Sequence, residues 1–277
     1  MYSVLDKDMI EMEIVPFIPK TKRGFPPTVP VGEIVNAILY KLKTGVQWNQ
    51  LPVKALFSEA CLSWQSVYHH YRKWCLSGAW KDCWTKFLKK HRAGLDLSSV
   101  DLDGSHTPAI RGGKAIEYQG RKKRKTTNAL YLTDRQGLPL AMSEPVAGNH
   151  NDLYDIEVQF EVVTGTLEQA DIPVEGLFLN ADAGFDSNDF RRACERKEIN
   201  ANICFNKRNG NTDRDEYFDK DLYDERYAVE RTNAWMDSYR SLLNRFDTTV
   251  ESWKGFNYLA FIVITIKKFK NKKKKKV

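Results

Sequence analysis

The stretch SVDLDGSHTPA, residues 99–109, places two aspartates in a strand-like run that ends in glycine. Because side chains alternate along a strand, Val100 and Leu102 point to one face while Asp101 and Asp103 point to the other. Asp103 stands nearer the end of the run and is expected at the edge of a sheet. A single strand-end carboxylate is more often a turn former or a helix cap than a reactive group. The function of Asp103 therefore depends on whether other acids meet it.

The sequence around this stretch predicts an α/β domain. After Asp96, short apolar runs alternate with turn signals in SSVDLDG, NALYLTD and LPLAMSEPVA, a pattern typical of consecutive antiparallel strands. Then follow a helix, a strand in VEGLFLNAD, a second helix and a strand in INANICFN. In such an order ligands collect at the carboxyl ends of strands, and a second strand ends in an acid, Asp182.

A third candidate acid lies in LYDERYAVERTNAWMDSYRSLLNRF, which contains neither glycine nor proline and is predicted to be one long helix. Tyr223, Arg226 and Glu230 are spaced by three and four, which puts them on nearly the same helical face. On spacing alone, Glu230 would be a solvated ion-pair partner of Arg226. Its association with the two strand-end aspartates favours a site instead.

The amino-terminal third of the sequence predicts a small helical unit. VGEIVNAILYKL and WQSVYHHYRKW each carry apolar residues at helical spacing, and a third helix is expected around Trp80 to Leu88. The basic and histidine side chains of the second helix could meet phosphates, or could form an ordinary solvated face. Near the other end, SWKGFNYLAFIVITIKKF favours a closing helix, although its β-branched run IVITI leaves a strand open.

The formal net charge of +7 says little by itself, because residues 267–277 alone contain eight lysines. Such a run is most often a solvated tail that attracts phosphate without reading sequence. A second basic cluster is more informative, because it falls in one predicted loop directly after the opening stretch: Arg111, Lys114, Arg121, Lys122, Lys123, Arg124 and Lys125.

Composition limits the class of protein. A length of 277 residues with 42% hydrophobic content fits one large globular domain or two smaller ones. No run approaches the roughly 18 to 20 apolar residues of a membrane helix, and the first twenty residues do not resemble a secretory signal. The five cysteines contain no CxxC pair, which supports neither a disulfide framework nor a zinc site. The chain is expected to be cytoplasmic.

Three separated motifs carry a family resemblance: DGSH around Asp103, NADAGFDS around Asp182, and YDERYAVER from Tyr223 to Arg231. Together they resemble the DDE transposases of bacterial insertion sequences, specifically the IS5 family within the IS4-like group. NAILYKLKTGVQWNQLP and SVYHHYRKWCLSGAW resemble the amino-terminal region of the same family. The resemblance covers roughly residues 15 to 268. It implies an RNase H-like domain, a mixed sheet flanked by helices, over 96–268, a helical DNA-binding region over 1–95, and a lysine-rich tail over 269–277.

The resemblance also implies a site. Asp103, Asp182 and Glu230 match the family's three catalytic, metal-binding acids, which are expected to hold two Mg²⁺ or Mn²⁺ ions. Tyr223 and Arg226 match the family's Tyr, two residues, Arg, three residues, Glu pattern and are expected, with the seven basic residues, to contact DNA. The position where the family has a further basic residue holds Asp237. The implied partners are double-stranded DNA, as transposon ends and as target, and a second copy of the chain. When bound to DNA, the protein would be associated with the nucleoid.

Elementary chemistry agrees with this expectation. Phosphodiester cleavage needs an activated oxygen nucleophile and a stabilised leaving oxygen, and paired divalent ions can serve both. Carboxylate oxygens suit Mg²⁺ or Mn²⁺, whereas three clustered carboxylates without a cation would raise at least one pKa. The implied reaction is attack of water at the transposon end, followed by attack of the freed 3′ hydroxyl on target DNA.

Other functions remain open on the sequence. The same acids could serve an RNase H-like nuclease, or a domesticated transposase without strand transfer. A repressor would use the helical region and the basic cluster but would not need three matched acids. A glycosidase uses two carboxylates, yet it offers no reason for the adjacent basic residues. His106, His150 and Asp152 lie near the predicted strand ends and invite supporting or proton-transfer roles.

Overall fold

The computed structural model describes residues 3–20, 27–209 and 218–274, without the side chains of residues 209 and 272–274. The chain forms two compact units, one from Met1–Lys90 with Met236–Val277 and the other from His91–Trp235. The boundaries at 95 and 268 were predicted from the sequence as limits of functional regions. They do not coincide with the limits of the two compact units, and the functional regions stay a prediction. Residues 275–277 of the predicted lysine-rich tail lie outside the described residues.

The described residues contain eleven α-helices. They are α1 (Lys7–Glu13), α2 (Val31–Thr44), α3 (Val53–Leu56), α4 (Trp64–Leu76), α5 (Ala79–His91), α6 (Ile156–Gln169), α7 (Asn188–Arg196), α8 (Lys220–Asp224), α9 (Tyr227–Asp237), α10 (Arg240–Leu243) and α11 (Val250–Lys274). Short 3₁₀ turns lie between several of them. No helix in the described ranges has the length and apolar character needed to cross a membrane.

The first unit forms where the sequence predicted helices. The predicted apolar stripe of α2 is buried, with Ile34, Val35 and Ile38 each 0% exposed. Gly45 ends α2 at a φ of 68°, and its N–H bonds the carbonyl of Lys41, the usual helix-terminating geometry for glycine. For the segment SWKGFNYLAFIVITIKKF the sequence favoured a helix and left a strand as the alternative. The segment is helical and belongs to α11. It packs against α2, α4 and α10.

The second unit is built on a seven-stranded mixed sheet. Its strands are β1 (Val100–Pro108), β2 (Glu117–Gln119), β3 (Arg124–Asp134), β4 (Pro139–Met142), β5 (Val146–Ala147), β6 (Phe178–Ala181) and β7 (Asn200–Ile203). The main order is β2-β3-β1-β6-β7, and β4 and β5 also pair with β3. β1 is antiparallel to β3 and parallel to β6, which is parallel to β7. An antiparallel meander followed by two parallel strands confirms the predicted RNase H-like fold class.

The prediction of one long helix after Lys220 is wrong. The chain instead forms α8, α9 and α10, separated at Glu225–Arg226 and again after Asp237. At the first break, the N–H of Arg226 bonds the carbonyl of Tyr223 at 3.0 Å, a tighter turn than an α-helix makes. Glu225 is held by Arg135 at 2.6 Å. Since the break needs neither glycine nor proline, helical periodicity did not reveal it.

The sequence predicted that the basic cluster lies in a single loop, and this prediction is wrong. β2 and the start of β3 form a short hairpin around a turn at residues 120–123, in which Lys123 has a φ of 50°. Arg124 and Lys125 belong to β3 itself, because they pair with Gln119 and Tyr118 across the hairpin. The hairpin therefore presents basic side chains on ordered strands as well as on a turn.

Candidate active site

Two of the predicted acids are neighbours at the point where the parallel pairing of β1 with β6 stops. The last parallel pair between β1 and β6 is Leu102 with Ala181. Asp103 and Asp182 are the next residues on these adjacent strands, so the two aspartates are neighbours. Asp182 leaves the sheet there, whereas β1 continues to Pro108 in its pairing with β3, so the prediction that Asp103 stands near the end of its strand is wrong. The carboxyl ends of parallel strands are where α/β folds place ligands.

Asp182 is also a turn former. Its Oδ1 accepts a hydrogen bond from the N–H of Gly184 at 2.8 Å and caps the short turn Ala183–Phe185. Beyond that turn, the buried carboxylate of Asp186 accepts hydrogen bonds from Arg191 Nε at 3.0 Å and Nη2 at 2.9 Å. This ion pair anchors the segment that follows Asp182, so the aspartate projects from a fixed turn.

Beneath the strand ends runs a buried chain of polar side chains that sequence reasoning missed. Asp101 accepts a hydrogen bond from Asn180 Nδ2 at 2.9 Å, and Asn202 Nδ2 donates to Asn180 Oδ1 at 2.8 Å. The three residues lie on β1, β6 and β7. Burial raises the pKa of Asp101 to about 6. The signal for this network was an asparagine inside each of two apolar strand runs, since a buried amide must be paired.

The carboxylates act on one another through their charges. Burial raises the pKa of Asp103, Arg226 opposes the rise, and the negative charges of Asp182, Glu230 and Asp152 add to it, which brings the pKa to about 7. Glu230 lies in α9 and is exposed. Asp182 and Glu230 are therefore close enough to Asp103 for their charges to act on it. So is Asp152, from the segment before α6.

The chemistry of these donors fits a divalent cation, although the side chains are not gathered as ligands. Within the described part of the chain, no three histidine, cysteine, aspartate or glutamate side chains form a group that could hold a metal ion. The available donors are carboxylate oxygens, which Mg²⁺ and Mn²⁺ prefer. The like charges that raise the pKa of Asp103 are what a cation between them would neutralise.

Arg226 and Tyr223 lie beside the acids. Arg226 occupies the break between α8 and α9, with its guanidinium 5.6 Å from the centre of the Tyr223 ring. The positive charge of Arg226 lowers the pKa of both Asp101 and Asp103. Its Nη1 is buried and has no hydrogen-bond partner among the described residues. Asp237, at the position of the family's further basic residue, ends α9 and is exposed.

The basic hairpin reaches the strand that carries Asp103. All seven basic side chains between residues 111 and 125 are exposed. Lys122 Nζ donates a hydrogen bond to the backbone carbonyl of His106 in β1 at 2.9 Å. His106 Nδ1 lies 3.3 Å from Thr126 Oγ1, and burial lowers the pKa of His106. A surface of positive charge therefore begins within a few residues of the acids.

Comparison with known proteins agrees with this arrangement. Residues 12–84 match the model of a family described as transposases of the IS4/5 family, and residues 179–267 match the transposase DDE domain. The chain is also 29% identical over 112 residues to an uncharacterized 16.2 kDa protein of insertion element IS402 from Burkholderia cepacia. That match covers 39% of this chain and 73% of the relative.

Two solved structures show weaker similarity. A pre-cleavage Mos1 transpososome has 12% sequence identity and a TM-score of 0.31, with coverage of 89% of this chain and 80% of that one. The Mos1 strand transfer complex has 14% identity and a TM-score of 0.34, with coverage of 87% and 78%. Scores of this size do not establish a shared fold, so the fold class stands on the order and directions of the strands.

The RNase H-like sheet and the DDE-domain match define the class of protein: a transposase with a DDE domain. The match over residues 12–84 and the insertion-element relative make the chain similar, more narrowly, to the IS4/5-type transposases of insertion sequences. The resemblance seen in the sequence is thereby confirmed.

Proposed function

We propose that the protein cleaves phosphodiester bonds at transposon ends and joins the freed ends to target DNA, with a divalent cation held by Asp103, Asp182 and Glu230. The observation that carries the proposal is that three other carboxylates act on Asp103 through their charges. Together with burial they raise its pKa to about 7. Neighbouring carboxylates that repel one another are poorly explained as structural groups, because each would be more stable in water.

Each part of the site has an assigned task. The three acids would hold Mg²⁺ or Mn²⁺, with two ions expected, and such ions stabilise charge on attacking and leaving oxygens. β1 holds Asp103 next to the end of β6, and the turn capped by Asp182 keeps the second carboxylate just beyond that strand. Arg226, with an unpartnered Nη1 beside the acids, would balance negative charge and bind a phosphate oxygen.

DNA would be held by the exposed basic hairpin. Its seven positive side chains offer backbone contacts that position a duplex without reading its sequence. Tyr223, stacked beside Arg226, would support the arginine and contact the same DNA. Bringing two transposon ends together requires two catalytic sites, so we propose a homodimer on DNA, acting in the bacterial cytoplasm.

The direct test uses a labelled duplex that spans the junction of the element with its flanking DNA. Wild-type protein should nick it with Mg²⁺, whereas Asp103→Asn, Asp182→Asn and Glu230→Gln should each abolish nicking and retain DNA binding. Asp189→Asn removes an exposed acid from α7 and should leave nicking unchanged. Full activity in any of the first three variants would remove that residue from the site.

Supplying pre-cleaved ends separates transposition from simple hydrolysis. A transposase should join such ends to a target plasmid in the presence of Mg²⁺. A nuclease would nick the uncleaved duplex but yield no joined product.

A further inference from the structure

The buried row of polar side chains crosses the sheet on the face that carries Asp103. The strand pairing aligns Asp101 with Asn180, and Asn180 with Asn202. Because side chains alternate along a strand, Asp101 lies on the same face of β1 as Asp103. Each member of the row is no more than 1% exposed. The row is therefore covered by other parts of the protein on the side of the sheet where the proposed site lies.

At its β7 end the row holds the backbone of a later segment. Asn202 Nδ2 donates a hydrogen bond to the carbonyl of Asp219 at 2.9 Å, and Asn202 Oδ1 accepts one from the N–H of Asp219 at 2.8 Å. A side-chain amide that bonds both backbone groups of one residue fixes the position and the orientation of that residue. The second hydrogen of Nδ2 goes to Asn180 at 2.8 Å, so both N–H groups and the carbonyl of Asn202 are used.

Asp219 is the residue from which α8 starts. Its Oδ1 accepts a hydrogen bond from the N–H of Leu222 at 2.9 Å, and its carbonyl accepts one from the N–H of Tyr223 at 3.0 Å. α8 packs against β6 and leads, through the break at Arg226, into α9. Glu230 lies in the first turn of α9. The place of the third acid therefore depends on where the sheet holds Asp219.

We propose that Asn202 is a positioning residue for the cation site. Through its hold on Asp219 it sets where α8 and α9 lie against the strands, and it thereby places Glu230 beside the two aspartates. The inference rests on the proposed function, because it concerns the same three acids. Asn202 contacts neither cation nor DNA in this role.

The need for such a tether follows from the origin of the acids. Two of them come from adjacent strands, whereas the third comes from a helix that follows much later in the chain. A shared site works only when its groups are held within about 0.5 Å of the productive geometry. A buried polar network in which every group is paired fixes one arrangement, whereas an apolar contact would let the helix slide.

The test measures Mn²⁺ binding to the full chain, with free Mn²⁺ followed by electron paramagnetic resonance. Asn202→Ala removes all three hydrogen bonds. Asn202→Ser is the milder variant, because it keeps a hydroxyl but is too short to bond both backbone groups of Asp219. We expect about tenfold weaker binding in each variant, the lower end of the range for residues that support metal ligands. Binding within about twofold of the wild type in the folded variants would overturn the proposal.

Two controls separate positioning from other effects of substitution. Asn200→Ala removes an amide from the same face of β7, where it bonds the carbonyl of Gly176 at 3.2 Å and does not hold α8. Leu167→Ala removes a buried side chain from α6, which packs against β3, β4 and α7. Both should bind Mn²⁺ within about twofold of the wild type at temperatures well below Tm. If Leu167→Ala weakens binding as much as Asn202→Ala, general loosening explains the loss and the proposal fails.

Hydrogen exchange gives a readout that does not depend on the cation. Peptides that cover α8 should exchange faster in Asn202→Ala than in Leu167→Ala or in the wild type, because the helix has lost its tether. Equal exchange of α8 in the three proteins would contradict the role of Asn202, whatever the Mn²⁺ affinities are.

Asp182→Asn tests the proposed function itself. If this variant binds Mn²⁺ as the wild type does, or if the wild type shows no saturable binding, both proposals fail. Loss of binding in Asp182→Asn together with normal binding in Asn202→Ala would remove only the positioning role.

Discussion

Replacing Arg191 with methionine should destabilise the second unit far more than the same change at the neighbouring Arg192. Arg191 donates two hydrogen bonds to Asp186, whose side chain is 0% exposed, and a third to the carbonyl of Ile203 at 3.1 Å. Methionine keeps much of the aliphatic length but leaves a buried carboxylate without its cation. Breaking a buried pair in this way costs about 3–5 kcal/mol. At roughly 3 °C per kcal/mol, Tm should fall by about 10 °C.

Arg192 provides the control within the same helix. It pairs with Asp189 at 2.6 Å, but both side chains are more than 60% exposed. An exposed pair of this kind contributes between about 0 and 1 kcal/mol. Urea unfolding followed by circular dichroism would measure both variants. Losses of similar size, or a loss below about 1 kcal/mol for Arg191→Met, would refute the reasoning. Asp186→Asn should recover part of the loss in the Arg191→Met background, because it removes the buried charge.

Three more outcomes follow from burial and packing. Gly165→Ala in α6 should raise the free energy of unfolding by about 0.5–1 kcal/mol, because nothing lies within 4 Å of the added Cβ. Gly255→Ala should lower it, because the added Cβ would meet Cys75 Sγ at 2.7 Å. Differential scanning calorimetry would compare the two variants. Burial raises the pKa of Asp134 to about 6 from an ordinary 3.8, so its contribution to stability is complete below pH 3.8 and is lost as pH rises through 6. Asp134→Asn should flatten that part of the pH dependence of unfolding, and an unchanged slope would contradict the assignment. A thiol reagent should modify the exposed Cys61 first in the native protein and leave three buried thiols, whose pKa burial raises to about 12, unmodified: Cys75, Cys83 and Cys194.

The sheet was predictable because local patterns determine its parts. Alternation in the stretch from Val100 and the turn signals after Asp134 are properties of neighbouring residues, and they predicted the meander of β1, β3 and β4. The breaks around α9 were not predictable in the same way. The first coincides with a contact between Glu225 and Arg135, ninety residues apart in sequence. Helical periodicity contains no information about a distant partner of that kind.

The candidate site shows the same division. Asp103 and Asp182 were chosen because both were expected at strand ends. Only Asp182 ends its strand, and the two are neighbours because both follow the last parallel pair of β1 with β6. Glu230 was chosen from spacing and family resemblance. The hold of Asn202 on Asp219 could not be chosen, because it depends on the register of β7 against β6 and on where the chain meets the sheet at the start of α8. The raised pKa of Asp103 could not be predicted either, because it depends mainly on how deeply the side chain is buried, and the alternating polar and apolar residues around it do not reveal this.

The first unit combines Met1–Lys90 with Met236–Val277, whereas the second is one uninterrupted segment. During synthesis the ribosome delivers residues in order, so His91–Trp235 can fold as soon as it emerges. The earlier helices must wait with uncovered apolar faces until α11 leaves the exit tunnel. Chaperones that shield nascent chains should therefore bind the early helices for longer than they bind the sheet.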